Sequence, residues 1–176
     1  NSTSTTGSVT GWPQVAPNGT AYLAYTDEED AAHLLVLRPG GASSVIDLPG
    51  EFVTSNLIVL DAAAIGPDNK VYVPMVGADG NSFVAIVSPT GVVSVRSVDG
   101  YPGELPVIAS DGTAYQVVAT YDEETGVSST HVVVLNSGAT TVSLPGEPIQ
   151  LSGRTPLLAV APDGTGLLLV VDRDGS

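Results

Sequence analysis

The chain repeats one short phrase four times, and this repetition constrains its fold more than any other feature. Each copy has a short apolar run, a tight turn built on Asn-Gly, Asp-Asn or Asp-Gly, and a second apolar run. The turns are at Asn18, Asp68, Asp111 and Asp163. Repeats that recur at such intervals indicate an architecture made by stacking similar units.

The segments within one repeat predict four short strands. In the third repeat, residues 106–109, 114–121, 130–136 and 140–144 are rich in β-branched residues and are separated by turn residues. The second and third strands are apolar at consecutive positions, as expected for strands whose two faces are both buried. The pattern predicts an all-β fold, a β-propeller of four-stranded antiparallel blades.

The chain is predicted to form a single domain over residues 1–176. Three repeats are complete and the last is split between the termini. Residues 1–10 resemble a fourth strand, and their pairing with residues 166–171 would close a small ring. The other interpretation is that the chain is part of a larger propeller. The predicted repeats span residues 11–51, 52–104, 105–147 and 148–176.

The turns of the type Ala-Pro-Asp-Gly-Thr and the segments HVVVLNSG and TVSLPGE carry a family resemblance. The chain resembles bacterial β-propeller repeat proteins, in particular the Thr/Val/Gly-rich repeats of secreted mycobacterial-type surface proteins. The resemblance covers nearly the whole chain and implies a propeller fold with a secreted or cell-surface location. It brings no catalytic residue with it, because such repeats serve many functions.

Composition excludes several classes of function. With 5 Lys and Arg against 19 Asp and Glu, the net charge of −14 argues against a nucleic-acid partner. The absence of cysteine excludes disulfides, thiol chemistry and Cys-type zinc sites. No apolar run is long enough to span a membrane, and no motif predicts a metal or a cofactor. The charge favours a basic protein or a cell-envelope component as partner.

Most acidic residues fall in connections that should share one end of the repeats. In an antiparallel repeat, the loop between strands two and three lies at the same end as the link to the next repeat. Trp12 is added to the acidic candidates because it stands where other repeats have the glutamate of a Pro-Gly-Glu link. The candidate binding residues are Trp12, Asp27, Glu28, Glu29, Asp30, Glu51, Glu104, Asp122, Glu123, Glu124 and Glu147.

These patterns favour a non-catalytic structural or binding module of an exported bacterial surface protein, which interacts through the acidic loops. One alternative is a hydrolase or lyase with two carboxyls about 5–10 Å apart. Another is a carbohydrate-binding propeller that uses Trp12 and the tyrosines, and buried tyrosines would argue against it. We also expect self-association if a blade edge is open. His33, His131 and Phe83 occupy equivalent places, which predicts a packing role for the histidines.

Overall fold

In the computed structural model, every regular element of the described part of the chain is a β-strand, and the strands pair antiparallel. The all-β prediction is therefore confirmed. In those residues no helix is long and apolar enough to cross a membrane. The described residues are 6–53, 62–102, 105–136, 141–144, 147–148, 158–161, 165–168 and 170–171.

Three five-stranded sheets follow one another along the chain, and a fourth group of strands follows them. Sheet 1 contains β1 (Ser8–Val9), β2 (Gln14–Val15), β3 (Ala21–Thr26), β4 (Ala32–Leu37) and β5 (Ser43–Asp47). Sheet 2 contains β6 (Glu51–Phe52), β7 (Ala64–Ile65), β8 (Val71–Val76), β9 (Ser82–Val87) and β10 (Val93–Ser97). Sheet 3 contains β11 (Tyr101–Pro102), β12 (Val107–Ile108), β13 (Ala114–Asp122), β14 (Val127–Val134) and β15 (Thr141–Leu144).

The last group consists of two strand pairs, which we call sheet 4. In each pair the partners are antiparallel. The pairs are β16 (Glu147–Pro148) with β19 (Val170–Val171), and β17 (Leu158–Val160) with β18 (Gly166–Leu168).

The first strand of each sheet is broken into two short pieces that pair along one edge of the next strand. In sheet 1, Ser8 pairs with Thr26 and Gln14 pairs with Tyr22, so β1 and β2 both lie along β3. The same arrangement recurs in sheets 2 and 3. In sheet 1 the segment between the two pieces is 10–13.

The prediction that residues 1–10 complete the last repeat is wrong for Ser8–Val9, because β1 pairs with β3 of sheet 1. The sequence pattern revealed only the second half of each first strand, next to its turn. The first half begins directly after the link from the preceding sheet. Glu51 and Glu147 therefore open a sheet, whereas the predicted repeat boundaries placed them at the end of one.

The core lies between successive sheets. Val71, Val73 and Met75 of β8 pack with sheet 1, whereas Tyr72 of the same strand packs with sheet 3. All four are fully buried, because side chains alternate between the two faces of a strand and both faces are covered. This confirms the prediction of central strands with two buried faces. The second pieces of the first strands, β2, β7, β12 and β17, lie side by side in that order, so the sheets radiate from a common line.

Pro74 lies within β8, a central strand, where proline is rare because it has no amide hydrogen. It occupies the place that Ala24 has in sheet 1, since each residue lies between the two pieces of its first strand. The carbonyl of Ala24 accepts a hydrogen bond from Thr10 on that interrupted side. Pro74 therefore faces the side of β6 and β7, and its missing amide removes no bond to β9.

An acidic loop end as the candidate functional site

The loops between the long strands and the links between sheets meet at one end of the molecule. His33, which follows the first such loop, contacts Asp27 in that loop and Asp47 at the end of β5. In sheet 2 the amide of Val98, in the link, donates to the carbonyl of Ser82 at the start of β9. We call this the loop end, and it comprises loops 27–31, 77–81 and 122–126 and links 47–51 and 97–101.

The first acid of the loops at 27 and 122 holds its own loop in shape. Asp27 Oδ1 accepts hydrogen bonds of 2.9 Å from the backbone amides of Glu29 and Ala31. Asp122 Oδ1 accepts from the amides of Glu124 and Thr125 at 2.9 and 3.1 Å. Hydrogen bonds to a carboxylate favour its charged form. The bond from His33 lowers the pKa of Asp27 most, and the backbone bond from Thr125 lowers the pKa of Asp122 most.

Asp79 has the same role in the loop of sheet 2. Its Oδ1 accepts from the backbone amide of Asn81 at 3.1 Å, and its Oδ2 accepts from the Asn81 side chain at 2.7 Å. The side-chain bond is the main reason that the pKa of Asp79 lies below its ordinary value. The leading acid of each described loop is therefore a structural residue.

His33 lies between two carboxylates. Its Nε2 is 3.0 Å from Asp27 Oδ2, and its Nδ1 is 3.0 Å from Asp47 Oδ1. Its ring stacks on Tyr25 with centroids 5.1 Å apart. Carboxylates only accept hydrogen bonds, so both contacts are hydrogen bonds when the ring is a doubly protonated imidazolium. Each ring nitrogen thus contacts a carboxylate of the protein itself. The arrangement ties the loop at 27–31 to the end of β5.

The other acids of the same loops point into solvent. Glu28, Glu29, Asp30, Glu123 and Glu124 are exposed. Within the described residues, the ion pairs are Lys70 with Asp68 and the two contacts of His33. None of these five acids therefore has a cationic partner there, and they form the part of the candidate set that a partner can reach.

The remaining glutamate candidates differ in their positions. Glu51 is exposed at the start of β6 and belongs to the loop end. Glu147 starts β16, but its side chain lies outside the described residues, as does the whole of Glu104. Asp47 and Asp99 also lie at the loop end, although the sequence analysis did not select them. Asp47 ends β5 and Asp99 lies two residues after β10, so an acid close to the end of the fourth strand is the sequence signal that they share.

The prediction that Glu104 and Glu51 are equivalent is wrong. Gly50 and Gly100 occupy matching places in the links, because a Cβ on either would lie 2.5 Å from a carbonyl oxygen, that of Val76 or of Ala119. Both glycines also have positive φ, 91° and 108°. The residue that matches Glu51 is thus Tyr101.

Trp12 was predicted to stand in place of a link glutamate, and this is also wrong. It lies in segment 10–13, between β1 and β2, and the pairing register makes Leu105 its counterpart in sheet 3. Its side chain is 65% exposed. Trp12 is therefore an exposed aromatic residue on the edge of sheet 1 that β1 and β2 form, between the loop end and the opposite end.

The tyrosines that recur in the repeats contribute to the core. Tyr22 and Tyr72 are buried, and burial is the main reason that the pKa of each hydroxyl is raised. The Tyr72 hydroxyl accepts a hydrogen bond of 3.0 Å from Asn136 Nδ2, which joins sheet 2 to sheet 3. These two residues therefore cannot offer a flat aromatic surface to a sugar ring.

Comparison with known proteins shows a similarity of fold and gives no activity for this chain. No protein family model matches the chain, and no curated protein matches it. Among solved structures, it is similar to the acylaminoacyl peptidase of Pyrococcus horikoshii, which has a β-propeller domain. The TM-score is 0.51 and the identity 11%, over 79% of this chain and 25% of the peptidase. This chain spans about a quarter of that protein's length. The fold of radiating antiparallel sheets is therefore propeller-like.

Proposed function

We propose that this chain is a non-catalytic module that binds a basic partner through its loop end. The observation that carries the proposal is that the loop acids have two different roles, one structural and one at the solvent-exposed surface. Asp27 and Asp122 hold the loops, while Glu28, Glu29 and Glu123 are presented to solvent with no cationic partner in the described residues. A surface with one sign of charge attracts an oppositely charged partner and orients it.

The finer features of the proposal rest on the repeats. We place the four sheets as blades of a propeller and this chain as a part of a larger one. The exported, cell-surface location and the bacterial repeat family rest on the resemblance of the turns and strand segments. A cell-envelope component or a basic protein is the partner that this location and charge favour.

The enzyme alternative has less support. The peptidase shares 11% identity with this chain, which bears on the fold alone. The carboxyls of Asp27 and Asp47 share a contact with His33, and the ring of His33 separates them. In this arrangement both carboxylates and both ring nitrogens already have partners within the protein.

The proposal is tested by measuring the affinity of the chain for an oligolysine peptide. The double variant Glu28→Gln/Glu123→Gln should weaken binding by about threefold to tenfold, because each exposed ion pair contributes about 0.2–1 kcal/mol. The affinity of the unmodified chain should fall as salt is added, since salt screens exposed charges.

The matched control is Ala42→Lys/Val92→Lys. It makes the net charge of −14 less negative by the same amount, but at exposed positions in the turns opposite the loop end. It should change the affinity much less. Equal losses in the two double variants would show that the peptide senses net charge alone, and the proposal of a binding face would be rejected.

A further inference from the structure

A histidine between two carboxylates occurs in sheet 1 and in neither of the next two sheets. The pairing register makes three residues of the third strands equivalent, namely His33, Phe83 and His131. Their partners on the outer strands are Asp47, Ser97 and Ser143. By the same register, the residues that match Asp27 are Gly77 and Thr120. The repeat therefore does not require acids at these places, and sheet 1 has both of them beside a histidine.

Three side chains face the His33 ring in the described part of the chain, those of Tyr25 on β3, Asp27 in the loop and Asp47 on β5. Burial, and next the charges of Asp27 and Asp47, raise the pKa of Tyr25, so its hydroxyl stays neutral. The bond from His33 lowers the pKa of Asp27, so this carboxyl stays charged. Histidine is the side chain that ordinarily changes charge between about pH 5 and 8. The ring is therefore the member of this group that gains or loses a proton near neutrality.

The two charge states of the ring allow different numbers of hydrogen bonds. A doubly protonated ring donates from Nε2 to Asp27 and from Nδ1 to Asp47, and it cancels one of the two negative charges. A neutral ring has one N–H, and its other nitrogen carries a lone pair. That lone pair would face the lone pairs of a carboxylate oxygen, so a neutral ring keeps one of the two contacts and loses the other.

The surroundings of the two carboxylates decide which contact is lost. The Asp27 side chain is 32% exposed, and its Oδ1 is also held by the amides of Glu29 and Ala31. The Asp47 side chain is 88% exposed, and among the described residues His33 is the partner of its carboxylate. Asp47 can rotate into water at little cost, whereas Asp27 is fixed by its loop. The neutral ring therefore keeps its proton on Nε2 and releases Asp47.

We propose that His33 makes the charge of the loop end depend on pH, because the protonated ring holds both carboxylates and the neutral ring releases that of Asp47. The freed carboxylate joins the exposed acids of the loop end, and the local charge becomes more negative by one elementary charge. A basic partner is then bound more tightly above the transition than below it. This control of binding rests on the proposed function, whereas the release of Asp47 does not.

The release is tested by NMR on the chain labelled with ¹⁵N, from about pH 5 to 8. The ¹⁵N shifts of the His33 ring report which nitrogen carries the proton. We expect both nitrogens to be protonated at the low end and Nε2 alone at the high end. A neutral ring that carries its proton on Nδ1, or a ring that keeps the same charge over this whole range, would overturn the proposal.

The control of binding is tested by the affinity for an oligolysine peptide at about pH 5.5 and pH 7.5. Lysine side chains stay charged at both values, so the peptide itself does not change. The unmodified chain should bind about twofold to fivefold more tightly at pH 7.5, which is the usual contribution of one exposed ion pair. The variant His33→Phe should bind equally at both values, since its carboxylates are never held by an imidazolium.

His131→Phe is the matched control. It makes the same substitution at the equivalent place of sheet 3 and removes the same charge, but the Nε2 of His131 lies 3.2 Å from the hydroxyl of Thr120 and not beside a carboxylate. This variant should keep the pH response of the unmodified chain. Equal loss of the response in both variants would show that net charge alone is sensed, and the proposal would be rejected. Circular dichroism shows whether each variant is folded.

The outcomes separate this inference from the proposed function. Tight binding of oligolysine that does not change with pH rejects the control by His33 and leaves the binding face. Absence of binding at both pH values rejects the binding face and, with it, the control of binding. In either case the ¹⁵N shifts of the ring decide whether Asp47 is released.

Discussion

At the scale of single residues, the repeated turn is explained by side-chain hydrogen bonds and backbone geometry. The side chains of Asn18 and Asp111 each accept a bond from the amide two residues later, which is the usual use of Asn and Asp in turns. The next residue takes a left-handed conformation, with φ of 88° at Gly112 and 62° at Asn69. Glycine and asparagine adopt this conformation more readily than other residues.

The loop acids show that a residue type alone does not define its role. Asp27 and Glu28 are neighbours in one acidic run, but the first is held by Glu29, Ala31 and His33 and the second faces solvent. The chain could therefore lose the charge of Glu28 without loss of loop structure. Replacement of Asp27 removes an acceptor of several bonds.

The variant His33→Phe tests the contacts of His33 with Asp27 and Asp47. Phenylalanine is a suitable replacement because Phe83 occupies the matching place in sheet 2. The bond from His33 is the largest cause of the lowered pKa of Asp27. In the variant we expect this pKa to rise toward its ordinary value of 3.8, as followed by the carboxyl carbon in an NMR titration. The backbone bonds should keep it somewhat below that value.

The sign of the stability effect follows from linkage. A carboxyl whose pKa is lowered by folding stabilises the protein above its ordinary pKa, and that contribution is lost as the pH falls through the lower, folded value. In His33→Phe the free energy of unfolding should therefore decrease less steeply as the pH falls below about 4. His131→Phe is the control and should leave the titration of Asp27 unchanged. An unaltered Asp27 titration in the His33 variant would show that His33 does not bind the Asp27 carboxylate as described.

At the scale of strands and sheets, burial on both faces is the property that the sequence predicted best. Runs such as that in β8 have no polar alternation, and the structure covers both sides of that strand. The first strands were predicted less well. Each consists of two short pieces with an interruption, so neither piece carries a long pattern of its own.

Met75→Ala should show how much the contact between sheets 1 and 2 contributes to stability. Met75 is fully buried between these sheets, and removal of such a side chain costs about 2–5 kcal/mol of the free energy of unfolding. Urea denaturation measures this loss. Val95→Ala, on the exposed outer strand of the same sheet, should change stability by less than about 0.5 kcal/mol. Similar losses in both variants would mean that the sheets do not pack as described.

At the scale of the whole molecule, charge opposes folding. The net charge is −14, and exposed acids are gathered at the loop end. We expect the free energy of unfolding of dilute protein to rise by about 1 kcal/mol as salt increases from about 0.01 to 0.2 M, because screening weakens the repulsion. The increase in the free energy of unfolding with salt should be smaller in the double variant Glu28→Gln/Glu123→Gln. Stability that falls with salt would show that attraction dominates instead.

The sequence by itself determined the all-β class, the turns and the strands with two buried faces. These features depend on a few neighbouring residues, because turn residues and side-chain polarity act locally. Only the tertiary structure decided that Ser8–Val9 pair with β3, that Trp12 matches Leu105, and which loop acids are bound. Each of these depends on a partner that is distant in sequence or on the direction of particular amides, and neither is contained in a local pattern.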